Sequence, residues 1–542
     1  MKSKLAYCQQ LFFTLRFLTL RQIFYRLYYK VKKPKVVKRK VKEQRDWCWK
    51  GPTLNKQSIF SQSDVCFLNR SGKVVSSCDW NSPEQSKLWL YNLHYFDDLN
   101  SIDYQDRKEL HYSFLKKWIV DNKPTVGNGW EPYPTSLRLV NWIKWFSKKS
   151  DVDTRYLSSI ALQAQALRQQ LEYHILGNHL FANGKALVFV GAFLTGEFAE
   201  SCLKKGLEIL DGEIEEQFLS DGGHFELSPM YHCILLWDLL ELIHLAEISK
   251  NKQLITRLAH WKRVAQKALL WLESMLHTDG EISFFNDAAI GVAHNPEEIF
   301  KFAKNLNIKW GTPLAPLHTN SDTGYSRVML GNYCLFMDHA QVGPDYLPGH
   351  AHADTLSIEL SLGSDRVFVN SGTSLYGVCE ERLRQRQTAA HNTVEVCGQS
   401  SSEVWSGFRV AKRAKASLTS SSADSDVVKL VASHDGYKRL RPKVTHQRAI
   451  EATSGFCQIE DTLSEQVEAV FHLHIHPSVN INKVNAKTVE LITPSKRTIT
   501  FTSELDIKLM PSTYHPNFGV AISSTKIVIP FINGQLVTRM DF

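Results

Sequence analysis

The chain has 542 residues, 43% hydrophobic and 22% charged. This is the usage of a soluble protein with two or more domains, and it excludes a disordered chain or a multi-span membrane protein. A formal charge of +9 imitates a nucleic-acid binder, but thirteen Lys and Arg and no acid fall in residues 1–42, so the remainder carries −4 and nucleic acid is excluded as its partner. Ten cysteines, none in a CxxC pair, argue against a disulfide framework or a cysteine zinc site.

Residues 1–42 form a basic amphipathic segment. An apolar, aromatic stretch, LFFTLRFLTLRQIFYRLYY, is broken by Arg16, Arg21 and Arg26 and followed by a basic run from Lys30 to Lys42. That pattern suits a helix lying on an anionic membrane surface, or a solvated tail with a helix docked on a partner. A cleavable signal would need an unbroken apolar core of roughly 7–15 residues, and none is clear. Arg16 and Arg21 interrupt the one stretch long enough to span a bilayer. Residues 43–84, rich in Ser, Asn and Asp, read as a linker or extended arm.

Residues 85–318 carry helical periodicity. KELHYSFLKKWIVD, TSLRLVNWIKWFSKK, DTRYLSSIALQAQALRQQLEYHI, ALVFVGAFL, HCILLWDLLELIHLAEI and ITRLAHWKRVAQKALLWLESML place apolar residues at i, i+3, i+4 and i+7. They predict helical hairpins arranged in a bundle or ring. From 319 to 542 the texture becomes short alternating runs rich in Val, Ile and Thr, such as TLSIELSLGSDRVFVNSG and AVFHLHIH, joined by tight turns. This predicts an antiparallel β domain almost without helices.

Four clusters could carry chemistry. Gly177-Asn178-His179 falls where the helical pattern of 152–176 ends and the next begins after Gly184, so it is either a cleft-facing anion donor or a Gly-Asn helix stop. In DGGHFELSPMYHCILLW, Ser228-Pro229 reads as a helix start with Tyr231 in its first turn, where positive dipole ends would favour a phenolate; taken alone, the residues favour a half-buried tyrosine packing that helix start. In PGHAHADTLSIEL, His350 and His352 precede an alternating strand, and extending it backwards puts both imidazoles and Asp354 on one face, as a metal or substrate would require. In RLRQRQTAAHNTVEV, His391 opens a strand after Arg382, Arg384 and Arg386, whose guanidinium forks match carboxylate or sulfate, or which form a solvated loop. His472, His474 and His476 alternate onto one sheet face, either a metal cluster or, as the reading preferred here, a polar and solvated face.

Taken in this order, the NH pair at 178–179, DGGHFELSPMYH, GHAHAD at 349–354 and AAHNT at 389–393 resemble the heparinase II/III family of polysaccharide lyases and its alginate-lyase relatives. The likeness runs from about residue 85 to 540, and YNLHYFDDL and WEPYPTSLRLVNW look like that family's N-terminal module. The resemblance implies an (α/α) toroid followed by an antiparallel β-sandwich-like domain, with an acidic polysaccharide bound between them and cleaved by β-elimination at a uronic acid. It assigns Asn178 and His179 to neutralising the uronate carboxylate, and Tyr231 and His350 to acid/base transfer. Tyr133, Glu226, Arg384 and Arg386 are expected substrate contacts. In zinc-bearing members His352 and His391 would be ligands, joined by an aspartate on the next strand. Here that strand, DRVFVNSGTSLYG, offers Asn370, a poorer ligand, with Asp354 as a substitute.

Two other classes compete with the lyase: a non-catalytic protein binding acidic polysaccharide during envelope glycan assembly, and a metal hydrolase built on His350-x-His352. The hydrolase would need alternating strands and helices, which the chain lacks. The substrate class places the protein at the cell envelope, periplasmic or membrane-peripheral, with the cytoplasm left open.

Overall fold

The computed structural model describes residues 4–542 apart from Lys40, Lys42, Thr312 and Ser425, so those two lysines of the basic run, and residues 1–3, lie outside the described residues. The N-terminal segment forms two helices, α1 (Lys4–Leu15) and α2 (Leu20–Val31), and Thr19 and Gln22 cap the second reciprocally. Residues 43–84 run over the helical body as an arm with one small hairpin, Asp64–Phe67 paired to Arg70–Lys73, and Trp47, Trp49 and Trp80 are buried.

The helical body comprises α3 (Lys87–Tyr95), α4 (Lys108–Asp121), α5 (Pro132–Phe146), α6 (Thr154–Arg168), α7 (Gly177–Phe193), α8 (Glu197–Gln217), α9 (Pro229–Ser249), α10 (Lys252–Ser274) and α11 (Pro296–Asn305). α5 buries Leu139, Trp142, Ile143 and Phe146, the i, i+3, i+4, i+7 set that its spacing predicts. α7 is buried nearly all round, and a Cβ at Gly206 of α8 would lie 2.7 Å from the Gly184 carbonyl, so only glycine permits this approach.

Two boundaries differ from expectation. The helix expected to run to residue 176 stops at Arg168, because Glu172 turns away: its backbone N–H donates to Asn183 Oδ1 at 2.8 Å. The following helix begins at Gly177, not after Gly184, with φ of +75° at Leu176 and +58° at Gly177. Gly177-Asn178 therefore opens a helix, and the helix-stop reading is overturned.

Beyond Leu317 the chain builds two large antiparallel sheets, of eight and nine strands among the described residues. In the first, Val427–His434 lies between Ala416–Asp424 and His446–Ala452; in the second, Ile358–Leu362 lies between Tyr333–Asp338 and Asp365–Phe368. The apolar side chains of each, such as Leu430, Ile450 and Ile459 on one and Leu335, Ile358 and Leu473 on the other, share one core. The fold is thus a helical toroid followed by an antiparallel sandwich. A short helix, α12 (Glu380–Arg386), takes the place of the expected arginine-rich loop and buries Arg382 and Arg386. His472 and His474 are also buried: His474 bonds Ser512 Oγ at 2.8 Å and the Ala389 carbonyl at 3.0 Å, which corrects the solvated reading of that face.

Candidate active site at the seam of the two domains

At the entrance of α7, Asn178 donates from both its backbone N–H (3.2 Å) and its side-chain amide (3.1 Å) to Glu226 Oε1. First-turn amides have no intrahelical acceptor, which makes this helix start a donor site. The next residue, His179, bonds Glu172 Oε1 through Nδ1 at 2.9 Å and lies 4.3 Å, ring to ring, from Tyr133. Burial alone would depress its pKa, but the Glu172 carboxylate outweighs burial and lifts it above the ordinary histidine value.

From the loop into α9, Ser228 Oγ caps the helix by accepting the Tyr231 N–H, as the sequence predicts. The Tyr231 ring packs on the His350 imidazole, centroids 3.9 Å apart, and its hydroxyl lies 3.0 Å from the Tyr376 hydroxyl. The expectation of a phenolate is not met. Burial first, then Tyr376 and the Asp287 charge, push the phenol well above its usual pKa, and these outweigh the helix dipole.

Asp287, which the sequence reading missed, organises the β side. Its Oδ2 pairs with His350 Nδ1 at 2.8 Å and with Arg382 Nη2 at 2.7 Å; its Oδ1 pairs with His352 Nε2 at 2.8 Å and with Arg382 Nη1. Burial would raise the pKa of this carboxyl, but Arg382 and the two imidazoles hold it well below the usual range. His350 and His352 converge on one carboxylate although neither lies on a strand; His350 ends a short 3-10 turn, Pro348–His350. Of the site imidazoles, His179 and His350 keep 26% and 13% of their side chains exposed while His352 keeps 1%, so the first two are the ones a substrate can reach.

The expected substrate contacts divide. Tyr133 and Glu226 lie at the site, and Glu226 Oε2, 3.4 Å from His350 Nε2, has no hydrogen-bond partner among the described residues. Arg384 is taken up by Glu381, Thr513 and His515, and Arg386 donates to the carbonyl of Ala351. Neither presents its guanidinium to Tyr231 or His350. Besides Asp287, the sequence reading missed Glu172 and Tyr376. The signal for Asp287 was an Asn-Asp pair in SFFNDAAIG, acidic within an apolar run and not capping a helix; Glu172 and Tyr376 carried no comparable signal.

The residues expected to bind metal also meet here. His352, Asp354 and His391 each offer a ligand atom, all within 4.8 Å of one another. His352 Nδ1 and His391 Nε2 are 3.2 Å apart, close to the edge of a tetrahedron with metal–nitrogen distances of about 2.0–2.1 Å. Burial lowers the pKa of His352 to about 4 and of His391 to about 3, keeping both neutral with lone pairs free. Asn370 Oδ1 instead accepts from Ser357 Oγ at 2.7 Å and lies 3.0 Å from His391 Nδ1. The donor set fits a zinc ion, with Asp354 rather than Asn370 completing it.

A helical toroid followed by an antiparallel sandwich is a fold shared with solved heparinases. A crystal structure of heparinase III superposes with a TM-score of 0.69 at 18% identity, over 85% of this chain and 78% of that one, a likeness of fold. Residues 79–310 match the family model for the heparinase II/III N-terminus, and residues 312–537 the model for the heparinase II/III-like C-terminal part. The chain belongs to the heparinase II/III family. It is 24% identical over 307 residues to a heparin-sulfate lyase of Bacteroides stercoris, covering 51% of this chain and 42% of that protein. It is 31% identical over 147 residues to another of Bacteroides thetaiotaomicron, covering 25% and 21%. The chain thus spans less than half the length of the curated relatives it matches.

Proposed function

We propose that this protein is a polysaccharide lyase that cleaves an acidic, uronate-bearing glycan by β-elimination. The observation that carries this reading is that Glu226 joins the Tyr231–His350 ring pair to the Asn178 helix start, accepting from Asn178 through Oε1 while its Oε2 lies 3.4 Å from His350 Nε2, so that acid/base groups and anion donors share one site. The proton on C5 of a uronate becomes removable when its carboxylate is neutralised, and Asn178 with a protonated His179 supply that neutralisation. His350 has its Nδ1 engaged with Asp287 and offers Nε2 to take the C5 proton; the imidazolium so formed lies between the carboxylates of Asp287 and Glu226. The electron pair moves into the C4–C5 double bond as the C4–oxygen bond breaks. Tyr231, a neutral phenol, protonates the leaving oxygen.

His352, Asp354 and His391 would hold a zinc ion in this reading, where it would serve a structural role by fixing His352, whose Nε2 is bonded to the same Asp287 carboxylate as His350. Elemental analysis of the purified protein, with Asp354→Asn as control, tests it: a stoichiometric metal lost in the variant supports the site, and no metal in either removes it.

The activity test is incubation with heparan sulfate, alginate and other uronate glycans while following the ultraviolet absorbance of the unsaturated product. A rise abolished by Tyr231→Phe supports the lyase. Glycan binding without any rise would instead make this a non-catalytic polysaccharide-binding protein.

A further inference from the structure

The N-terminal helices have two faces of opposite character. One face of α2 is docked at the seam beside the active site. Gln22 is fully buried and donates to the carbonyls of Ile175 (3.3 Å) and Tyr346 (3.1 Å), one on each side of the cleft. On the same face Tyr25 packs on Tyr173 at 4.7 Å, and Tyr29 donates to the Leu171 carbonyl at 2.7 Å. α1 reaches the β domain, where Thr14 Oγ1 accepts from Trp405 Nε1 at 3.1 Å.

The opposite face of α2 is exposed. Leu20, Ile23, Phe24, Leu27 and Val31 are 85%, 42%, 59%, 61% and 87% exposed. At 3.6 residues per turn these five fall within an arc of about 100°, turned away from Gln22, Tyr25 and Tyr29. Phe12 and Leu15 of α1 add 63% and 46% exposure to the same hairpin. Nine exposed cations accompany the stripe, from Arg16 and Arg21 through Lys30, Lys32, Lys33 and Lys35 to Arg39. None of the nine is in an ion pair with a described carboxylate.

We propose that this hairpin seats the protein on an anionic membrane surface. An apolar stripe flanked by unpaired cations, with no acid in residues 1–42, complements the boundary between anionic headgroups and acyl chains; a soluble acidic polymer would use the cations but not the stripe. No described helix is long and apolar enough to cross a membrane, so the hairpin lies on the surface. Because its inner face is bonded to Ile175 and Tyr346, three and four residues from Asn178 and His350, seating it holds the cleft at a fixed height above the bilayer. This rests on the exposed face alone and is independent of the lyase reading.

The test is co-sedimentation of the full chain with vesicles of pure phosphatidylcholine or of equimolar phosphatidylcholine and phosphatidylglycerol, at low and high salt. Binding to the anionic vesicles, weakened by salt, is expected. Phe24→Ser with Leu27→Ser lowers the partition coefficient about tenfold or more, and each of Lys32→Glu and Lys33→Glu lowers it at least about fivefold. These side chains are exposed, so circular dichroism and the thermal unfolding midpoint stay unchanged. Absence of vesicle binding overturns the proposal. So does a dimer that the Phe24/Leu27 variant converts to monomer without any vesicle binding, which would assign the stripe to a second copy. So too does retention only on an acidic glycan, lost with the lysines alone.

Discussion

Glu172 sets the protonation of His179 from a buried position, its other oxygen accepting from Asn183. Because the carboxylate raises the pKa of His179, the imidazolium survives to a higher pH than an ordinary histidine, and loss of its charge marks the alkaline limb of a reaction that needs it. Glu172→Gln removes the charge while keeping a hydrogen-bond acceptor, so the alkaline limb of kcat/KM should move to lower pH with the acid limb in place; an unmoved limb would show that His179 does not carry the required charge. Asp287 acts differently, since His350, His352 and Arg382 share it. Asp287→Asn and His350→Ala should each lower kcat/KM by roughly 10²–10⁴-fold, and the double variant by little more than the worse single one, because the two act as a unit. Multiplicative losses in steady-state kinetics would separate them. That Asn178, Tyr231 and His350 gather around Glu226 was foreshadowed because each, like His179, sits in a short motif of distinctive composition. Glu172 and Asp287 were not, because a lone acid in a chain that carries 55 of them acquires meaning only when the fold buries it.

Among the toroid helices, α4, whose limits match its periodic run, and α10 were legible because each buries one apolar face. α8 escaped notice because its apolar positions are spread among Glu and Lys, and the start of α7 was misplaced because an all-round buried helix has little periodicity to read. What holds three of these helices in register is a buried ion cluster. Lys144 of α5 and Lys185 of α7 both donate to Glu241 of α9, and Lys185 also reaches Asp238. Burial would raise the pKa of Glu241, but the two ammonium groups hold it at about 2 against an ordinary 4.5. A depressed carboxyl contributes stability above its unfolded pKa and loses it as pH falls to the folded one, so this contribution is complete above about pH 4.5 and gone near 2. Glu241→Gln should cost ~3–5 kcal/mol at neutral pH by leaving two buried ammonium groups undercompensated. The same variant should flatten the stability curve between those pH values, as urea titrations of both proteins would measure.

Helix-then-strand order made the two-domain plan legible, but how the two halves interlock was not, because that seam is built from residues hundreds of positions apart. Asp287 and His277, which precede the sandwich, are buried against Arg382 and Glu359 within it, and Asp279 pairs with Arg366 at 2.7 Å. Around these pairs Leu227, Trp271, Met275 and Phe285 of the first half share one apolar cluster with Tyr325, Cys334 and Phe336 of the second. Separating the halves would therefore expose this apolar cluster to water and break the pairs of Asp287 with Arg382 and His277 with Glu359. Such a seam should couple the domains into one cooperative unit even though each has its own core. Scanning calorimetry of the full chain is expected to show a single transition with van't Hoff and calorimetric enthalpies in agreement, and residues 313–542 expressed alone should bind a hydrophobic dye and aggregate. Asp287→Asn weakens the seam from one side only, and is expected to lower the transition temperature without splitting the peak. Two resolved transitions in the unaltered chain would mean that the halves fold independently, and that the Tyr231–His350 pair is assembled by docking of finished domains.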